Sequence, residues 1–310
     1  MSRRKGKSSR ELGLEVAAIC GTHFLKLEHL HYGYWTDDLD IDLANLHKAQ
    51  EQYTDFLLSH IPDHVDTILD VGCGTGHTAK KLIDMGHHVD CVSPSPFLNE
   101  QVRSLLGSTS QVFECTYEQV ETQHTYDAVL FSESFQYVHL QKALEKSIRL
   151  LNNGGYLLIC DVFKFDTSGN GVMGGGHKLK KFHRLIADYP FELVEDLDIT
   201  EQTAPNLDLM DATMKNVVAP VLEASMDYLR GRYQLMVRLL RWKYRKQIDR
   251  MCAKYFNGKR SAEDFRKFKT YRLLLYKLVP SAVEGKAYPN FARASTVENL
   301  EETHSSLAAP

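Results

Sequence analysis

The chain lacks the features that would commit it to a membrane, a secretory route or a metal. No stretch comes near the roughly 20 consecutive apolar residues that a membrane-crossing helix needs. The basic, polar residues 1–10 are followed by no apolar core of signal-peptide length. The six cysteines, Cys20, Cys73, Cys91, Cys115, Cys160 and Cys252, form no Cys-x-x-Cys pair and no zinc-ligand spacing, so no metal site is expected. Cys91, Cys115 and Cys160 lie in apolar runs and read as buried free thiols of a reducing compartment. An excess of one charge is missing too. With 37 basic and 40 acidic residues the net charge is −3, so the chain as a whole attracts neither nucleic acid nor anionic lipid, and any such attraction must come from a local patch. A cytoplasmic location is the expectation, and no nucleic-acid partner is expected.

What is present is the composition of an ordinary globular protein: 310 residues, 43% hydrophobic and 25% charged. That length holds one large domain or a domain with an insertion. Residues 1–10 read as a tail and residues 11–62 as mostly helical, interrupted by an aromatic segment at 29–35. From residue 67 short apolar runs alternate with amphipathic stretches. Strands are predicted at 67–71, 88–92, 111–115, 126–131 and 155–162, with helices at 75–85, through residue 106, and at 140–151. Alternation of this kind predicts an α/β fold with a mostly parallel sheet covered on both faces. Two more strands are predicted at 191–197 and 271–278. Between them lie more than 60 residues of helical periodicity, too many for a loop. The expected organisation is therefore an N-terminal part (1–62), a core (63–204), a helical cap insertion (205–267), the last core strand (268–280) and a polar tail (281–310).

The strongest local signal is Ile68-Leu69-Asp70-Val71-Gly72-Cys73-Gly74-Thr75-Gly76, an apolar strand running through a glycine turn into a helix. Glycines permit positive φ and close approach of a ligand to the backbone. The N–H groups opening the helix suit an anionic group such as a carboxylate. No lysine follows the last glycine, which excludes the nucleotide phosphate loop, and the spacing does not fit Gly-x-Gly-x-x-Gly. An acid before the turn, Asp70, suits a ligand that carries an ammonium.

The run Asp-Val-Gly-Cys-Gly-Thr-Gly resembles the first motif of class I S-adenosylmethionine-dependent methyltransferases. Residues 126–130 with Ser132-Glu133-Ser134, and Leu150-Leu151-x-x-Gly154-Gly155, resemble that family's fourth strand and its turn into the fifth. The resemblance covers most of 29–200 and implies a doubly wound, seven-stranded Rossmann-like methyltransferase fold. It further implies that Asp70, Gly72, Cys73, Gly74 and Gly76 hold the methionine end of the cofactor. Ser93 would face the ribose, Thr116 and Tyr117 the adenine, and Ser132 and Glu133 the floor near the sulfonium. Many relatives carry acids where Ser93 and Thr116 stand. The pattern Val92-Ser93-Pro94-Ser95-Pro96 is similar to a lipid- and small-molecule-modifying subset, which includes tocopherol, sterol and cyclopropane-forming enzymes. A His-Tyr-Gly-Tyr-Trp segment precedes the sheet in that subset as it does here, which implies that Tyr32, Tyr34 and Trp35 close over the cofactor. Their flat rings also suit a cation.

The cap region carries an apolar stripe, Leu229, Tyr233, Met236, Leu240, Tyr244, Ile248 and Met251, backed by Arg230, Arg232, Arg238, Arg241, Lys243, Arg245, Lys246 and Arg250. A basic amphipathic helix of this kind allows peripheral membrane contact through 228–250 or the binding of a phosphate-bearing acceptor. Met210, Met214, Val217, Val218 and Val221 are candidates to line an apolar acceptor pocket. Gln136, Tyr137 and His139 lie near the expected transfer point. Methyl transfer needs mainly alignment and exclusion of water, and no catalytic constellation stands out. The expected acceptor is a small or lipid-like hydrophobic molecule. A small amine or phenol, and a cofactor-binding regulatory protein without chemistry, stay open as alternatives.

Overall fold

The computed structural model describes residues 9–166, 174–255 and 261–279. The C-terminal tail expected at 281–310 and most of the tail expected at 1–10 lie outside them, as do the side chains of Arg250, Met251 and Cys252. Two helices, α1 (Ser9–Leu25) and α2 (Leu46–Leu58), precede β1 (Thr67–Val71). The alternating region runs α3 (His77–Asp84), β2 (His88–Val92), α4 (Pro96–Leu106), β3 (Val112–Phe113), β4 (Tyr126–Ser132), α5 (Leu140–Leu150) and β5 (Leu151–Lys164). A two-residue β6 (His177–Lys178), α6 (Leu179–Ile186) and β7 (Phe191–Asp198) follow. Then come α7 (Thr200–Thr203), α8 (Pro205–Thr213), α9 (Ala219–Tyr255), α10 (Ala262–Phe268) and β8 (Lys269–Leu278).

The sheet order is β3-β2-β1-β4-β5-β8-β7, with β6 paired to the end of β5. Strands β1 to β5 are parallel, and β8 runs antiparallel between β5 and β7. This is the doubly wound, mostly parallel fold with a helical insertion that the alternation and the resemblance imply. The period of two along each strand sends successive side chains to opposite faces. Ile68, Ala128, Leu130, Leu158 and Cys160 join one buried cluster, and Leu69, Val129, Phe131, Leu157 and Ile159 the other. Both faces are thus apolar, as a parallel sheet covered by helices requires. Among the described residues no helix is long and apolar enough to cross a membrane.

Several elements differ from the expectations. The helical reading of 11–62 breaks between Leu25 and Leu46, where the chain has almost no regular structure. The third strand shortens to two residues, β5 grows to fourteen with a register shift against β4, and α6 was not predicted. The insertion begins with Asn206 and Leu207 buried, then passes through a π turn at Met214–Val218. Such a turn takes in an extra residue and rotates the apolar face away from the core. Val217 and Val221 stand 52% and 60% exposed. Met210 alone of that group packs against the core cluster.

One carboxylate locks the amino ends of three strands. Asp127 Oδ2 accepts from the Asp66 N–H (3.1 Å), the Thr67 N–H (3.0 Å) and Thr67 Oγ1 (3.1 Å), and Oδ1 accepts from Asn152 Nδ2 (2.7 Å). These bonds outweigh the cost of burial and hold its pKa below the usual carboxylate value. A lowered folded pKa gives stability that is present above the unfolded value and lost as the pH falls through the folded one. Asp127→Ala should cost about 1–3 kcal/mol in a denaturant titration at neutral pH, and the difference from the parent should shrink in acid.

Candidate functional site

The glycine turn lies at the carboxyl end of β1, on the edge where open α/β sheets bind ligands. Gly72, Gly74 and Gly76 all have positive φ (78°, 56° and 91°). A Cβ at Gly72 would sit 2.4 Å from Ser134 Cβ, which packing excludes, and one at Gly76 would sit 3.3 Å from Val102 Cγ2, a tight contact. Above Gly74 nothing lies within 4 Å. The middle of the turn faces open space, where a ligand can touch the backbone. Asp70 is 2% exposed, and its Oδ2 has no hydrogen-bond partner among the described residues. Burial pushes this carboxyl up to about 7. Cys73 is buried in the same turn. An unsatisfied buried carboxylate next to an open glycine backbone and a helix start fits the ammonium and carboxylate of an amino-acid group.

The other sequence-predicted residues divide. Ser93 is buried at the end of β2, where its Oγ accepts from the Ser95 N–H (3.2 Å) and its carbonyl from Asn99 Nδ2 (3.0 Å). Its hydroxyl proton remains available. Thr116 is exposed at the end of β3 and forms a capping box with Gln119. Tyr117 turns the other way: its ring packs edge-on to Phe131 (4.9 Å) and its phenol meets Ser147 Oγ at 2.9 Å inside the core. The apolar space between β4 and α5 takes its ring, which leaves the backbone at 116–117 as the part of this segment at the sheet edge. Gln136 is held by Asp161, Tyr137 is 60% exposed, and the His139 N–H donates to Glu118.

Glu133 follows β4 directly. It is a non-glycine residue at φ 53°, a conformation that costs about 1–2 kcal/mol. Its Oε1 accepts from the Tyr32 N–H at 2.6 Å and lies 2.8 Å from Tyr271 Oη. Tyr271 Oη is also 3.0 Å from Tyr53 Oη, which stands 3.2 Å from Ser132 Oγ. The single proton of Tyr271 serves only one neighbour at a time. Burial raises Glu133 to about 8, against the lowering effect of the Tyr32 and Tyr271 bonds, and the charge of Asp161 adds to the rise. Asp161, on β5, is itself raised to about 7 by burial and fixes the turn after Glu133 by accepting from the Gln136 N–H (2.9 Å) and Nε2 (3.1 Å).

The aromatic segment is a strap pinned across this edge. Thr75 Oγ1 donates to the Glu28 carbonyl, which ties the strap to the glycine turn. Gln50 Nε2 donates to the carbonyls of His29 (3.2 Å) and His31 (2.6 Å), and Asn206 exchanges two bonds with Gly33. Of the three residues expected to close over a cofactor, only Tyr32 is brought to Glu133, through its backbone N–H, and its ring lies 6.1 Å from that of Tyr271. Tyr34 stacks on Phe56 at 4.9 Å, and Trp35 is 5% exposed with no partner for Nε1 among the described residues. Sequence reasoning missed Tyr53, Tyr271, Asp161 and Asn206. Tyr53 reads as one more apolar helix position and Tyr271 as one more strand residue, so neither carries a local signal. Among the described residues no group of three His, Cys, Asp or Glu is placed to hold a metal.

Comparison with known proteins finds similarity to methyltransferases. A family model for a methyltransferase domain matches residues 68–155. The chain is 27% identical over 201 residues to methyltransferase GfsG of Streptomyces halstedii, covering 57% of this chain and 71% of that protein. In three dimensions it is similar to a geranyl diphosphate C-methyltransferase from Streptomyces coelicolor (TM-score 0.58, 18% identity, 89% and 100% of the two chains). That structure holds Mg2+, geranyl diphosphate and S-adenosyl-L-homocysteine. It is also similar to the [4+2]-cyclase SpnF (TM-score 0.58, 17% identity, 86% and 96%). At these identities the structural likeness fixes the fold.

Two measurements test the glycine turn as the cofactor site. Gly74→Leu should lower S-adenosylmethionine affinity at least tenfold by calorimetry while the folded spectrum is kept; equal affinity in a folded variant would move the site elsewhere. A ligand ammonium favours the charged form of Asp70, so affinity should rise as the pH climbs through about 7. Asp70→Asn should flatten that rise.

Proposed function

The chain is a class I S-adenosylmethionine-dependent methyltransferase, and we propose that it methylates a small, largely apolar acceptor with Glu133 as the base that takes the acceptor's proton. The observation that carries the proposal is the placement of Glu133: one partly buried carboxyl at the carboxyl end of β4, bordered by Tyr32, Tyr53 and Tyr271. A carboxyl fixed by tyrosine hydroxyls among buried rings favours a small molecule held in one orientation. The fold likeness to a geranyl diphosphate C-methyltransferase is consistent with such an acceptor.

S-adenosylmethionine supplies a methyl group on a positively charged sulfur. The turn at 72–76 with Asp70 would hold its amino-acid end, and Ser93 and Thr116 would stand toward its nucleoside. Ser132 and Glu133 would form the floor, with Tyr32 above them and Tyr34 and Trp35 supporting the strap from behind. Tyr271 is a positioning residue: its hydroxyl orients Glu133 and is backed by Tyr53. A partly buried carboxyl with a pKa of about 8 is a strong base once ionised, and a strength near the working pH is what general-base transfer requires. The strap and α8 would exclude water from this edge, as methyl transfer needs. The separation of a cofactor-holding core (63–204 with 268–280) from an acceptor-selecting helical unit (205–267) belongs to the same proposal, as does peripheral contact with a membrane through 228–250.

The experiment follows label from methyl-labelled S-adenosylmethionine into prenyl diphosphates, a prenylated phenol, simple amines and a total lipid extract. Label should enter an apolar, solvent-extractable product. Label confined to amines would overturn the acceptor class. With an accepted substrate, Glu133→Gln should keep the melting temperature and reduce turnover about 100-fold or more. The parent rate should rise with pH through about 8 and then level, because the carboxyl is protonated and inactive below that value. A rate within threefold of the parent for the variant would remove Glu133 from the chemistry.

A further inference from the structure

The long helix α9 has more apolar surface in water than its expected stripe accounts for. Its backbone breaks at Tyr233 (φ −133°, ψ 46°), two residues after Gly231, and a second segment continues from Gln234. In that segment Val237 is turned inward and buried. At 3.6 residues per turn, Leu235, Leu239 and Trp242 share the opposite, outer side. They are 76%, 64% and 79% exposed, more than any residue of the stripe Met236, Leu240 and Tyr244. Two large leucines and a tryptophan in an i, i+4, i+7 row form a continuous apolar strip, which a protein rarely leaves in water without a use.

Charge around the strip is of one sign. From Tyr228 to Asp249 the chain carries Arg230, Arg232, Arg238, Arg241, Lys243, Arg245 and Lys246, all exposed, against the single acid Asp249. Asp249 is engaged with Arg245 at 3.7 Å, and Arg230 is paired with Asp227 at 3.1 Å. Arg238 and Lys246 stand one helical turn before and after Trp242. Long basic side chains beside an apolar strip can lay their stems along it and keep their charges outward.

We propose that the outer side of α9, Leu235, Leu239 and Trp242 with Arg238, Lys243 and Lys246, docks on an anionic lipid surface. This deepens the membrane contact through 228–250 raised with the proposed function, and it needs neither the acceptor nor the base assigned there. The complementarity is of two kinds. The strip inserts at the boundary of headgroups and acyl chains, where tryptophan is favoured, and the cations meet the lipid phosphates. A second copy of the chain is the less suitable occupant, because pairing two such faces opposes cations to cations across the contact. The remaining chain has a net negative charge, since the total is −3 and this segment is strongly positive. The rest of the molecule is therefore not drawn to the surface, and α9 would set the orientation of docking.

The test uses the full chain without cofactor or acceptor. Flotation with vesicles of phosphatidylcholine, and of phosphatidylcholine with phosphatidylglycerol, should show binding to the anionic vesicles only and loss of it at high salt. Trp242 and the buried Trp35 are the only tryptophans, so the emission should shift to the blue on binding and the shift should vanish in Trp242→Phe. Each cation near the surface contributes about fivefold in partitioning. Arg238→Gln, Lys243→Gln and Lys246→Gln together should weaken binding on the order of a hundredfold. Leu235→Ser with Leu239→Ser should reduce it with all charges kept. Cofactor affinity should be unchanged in each variant, which separates this test from that of the active edge. Equal binding to neutral vesicles, no binding to either, or binding only to an RNA homopolymer would overturn the proposal. So would a dimer that dissociates in the leucine variant with no vesicle binding by the parent.

Discussion

The hydrogen bond from the Tyr32 N–H to Glu133 Oε1 joins the two halves of the site, and much else in the structure serves it. Residues 26–45 have almost no regular structure, so their backbone polar groups need partners from elsewhere. Side chains supply them: Thr75 from the glycine turn, Gln50 from α2, Asn206 from α8 and Glu133 from the end of β4. Backbone carbonyls of Ala49 and Gln202 take the N–H groups of Tyr34 and Trp35. Gly33 has no room for a Cβ, which would lie 2.5 Å from that of Ala49. The path of the strap is thus fixed by partners on several elements, and it lays Tyr32 across the sheet edge.

Electrostatics gives that edge its direction. Asp70, Glu133 and Asp161 stand along three neighbouring strands, and burial raises all three. Burial also depresses His29 to about 4 and His31 to about 3, so these histidines stay neutral near the acids and add no positive charge. A cationic ligand arriving here meets carboxyls that become charged as it binds, which links its affinity to proton release. The positive φ of Glu133 is the backbone strain expected where a side chain must be held in one place for a ligand.

The insertion between β7 and β8 works in two parts. Its beginning belongs to the site: Asn206 grips the strap, Asp208 accepts from the Ala262 N–H at 2.8 Å, and Arg266 pairs with Glu201. After the π turn at Met214–Val218 the helix faces solvent, and after Tyr233 it presents an apolar row to water. A separation of this kind lets the outer helix vary its contacts while the strap stays fixed.

The sequence by itself determined the sheet, its order of strand and helix, and the glycine turn. Those depend on short-range rules: alternation of period two, helical spacing, and glycines at 72, 74 and 76 that must take positive φ. The acid before the turn, Asp70, was legible for the same reason, whereas its burial and the open space at Gly74 come from the packing. Tertiary structure alone decided which aromatic rings matter. Tyr32, Tyr53 and Tyr271 come from three distant parts of the chain and meet only because the strap, α2 and β8 pack on one edge. It also turned Tyr117 into the core and Val217, Val221, Leu239 and Trp242 outward. A composition or a helical wheel cannot foresee a π turn or a kink, because each shifts every later side chain by about a third of a turn or more without changing the pattern of residues.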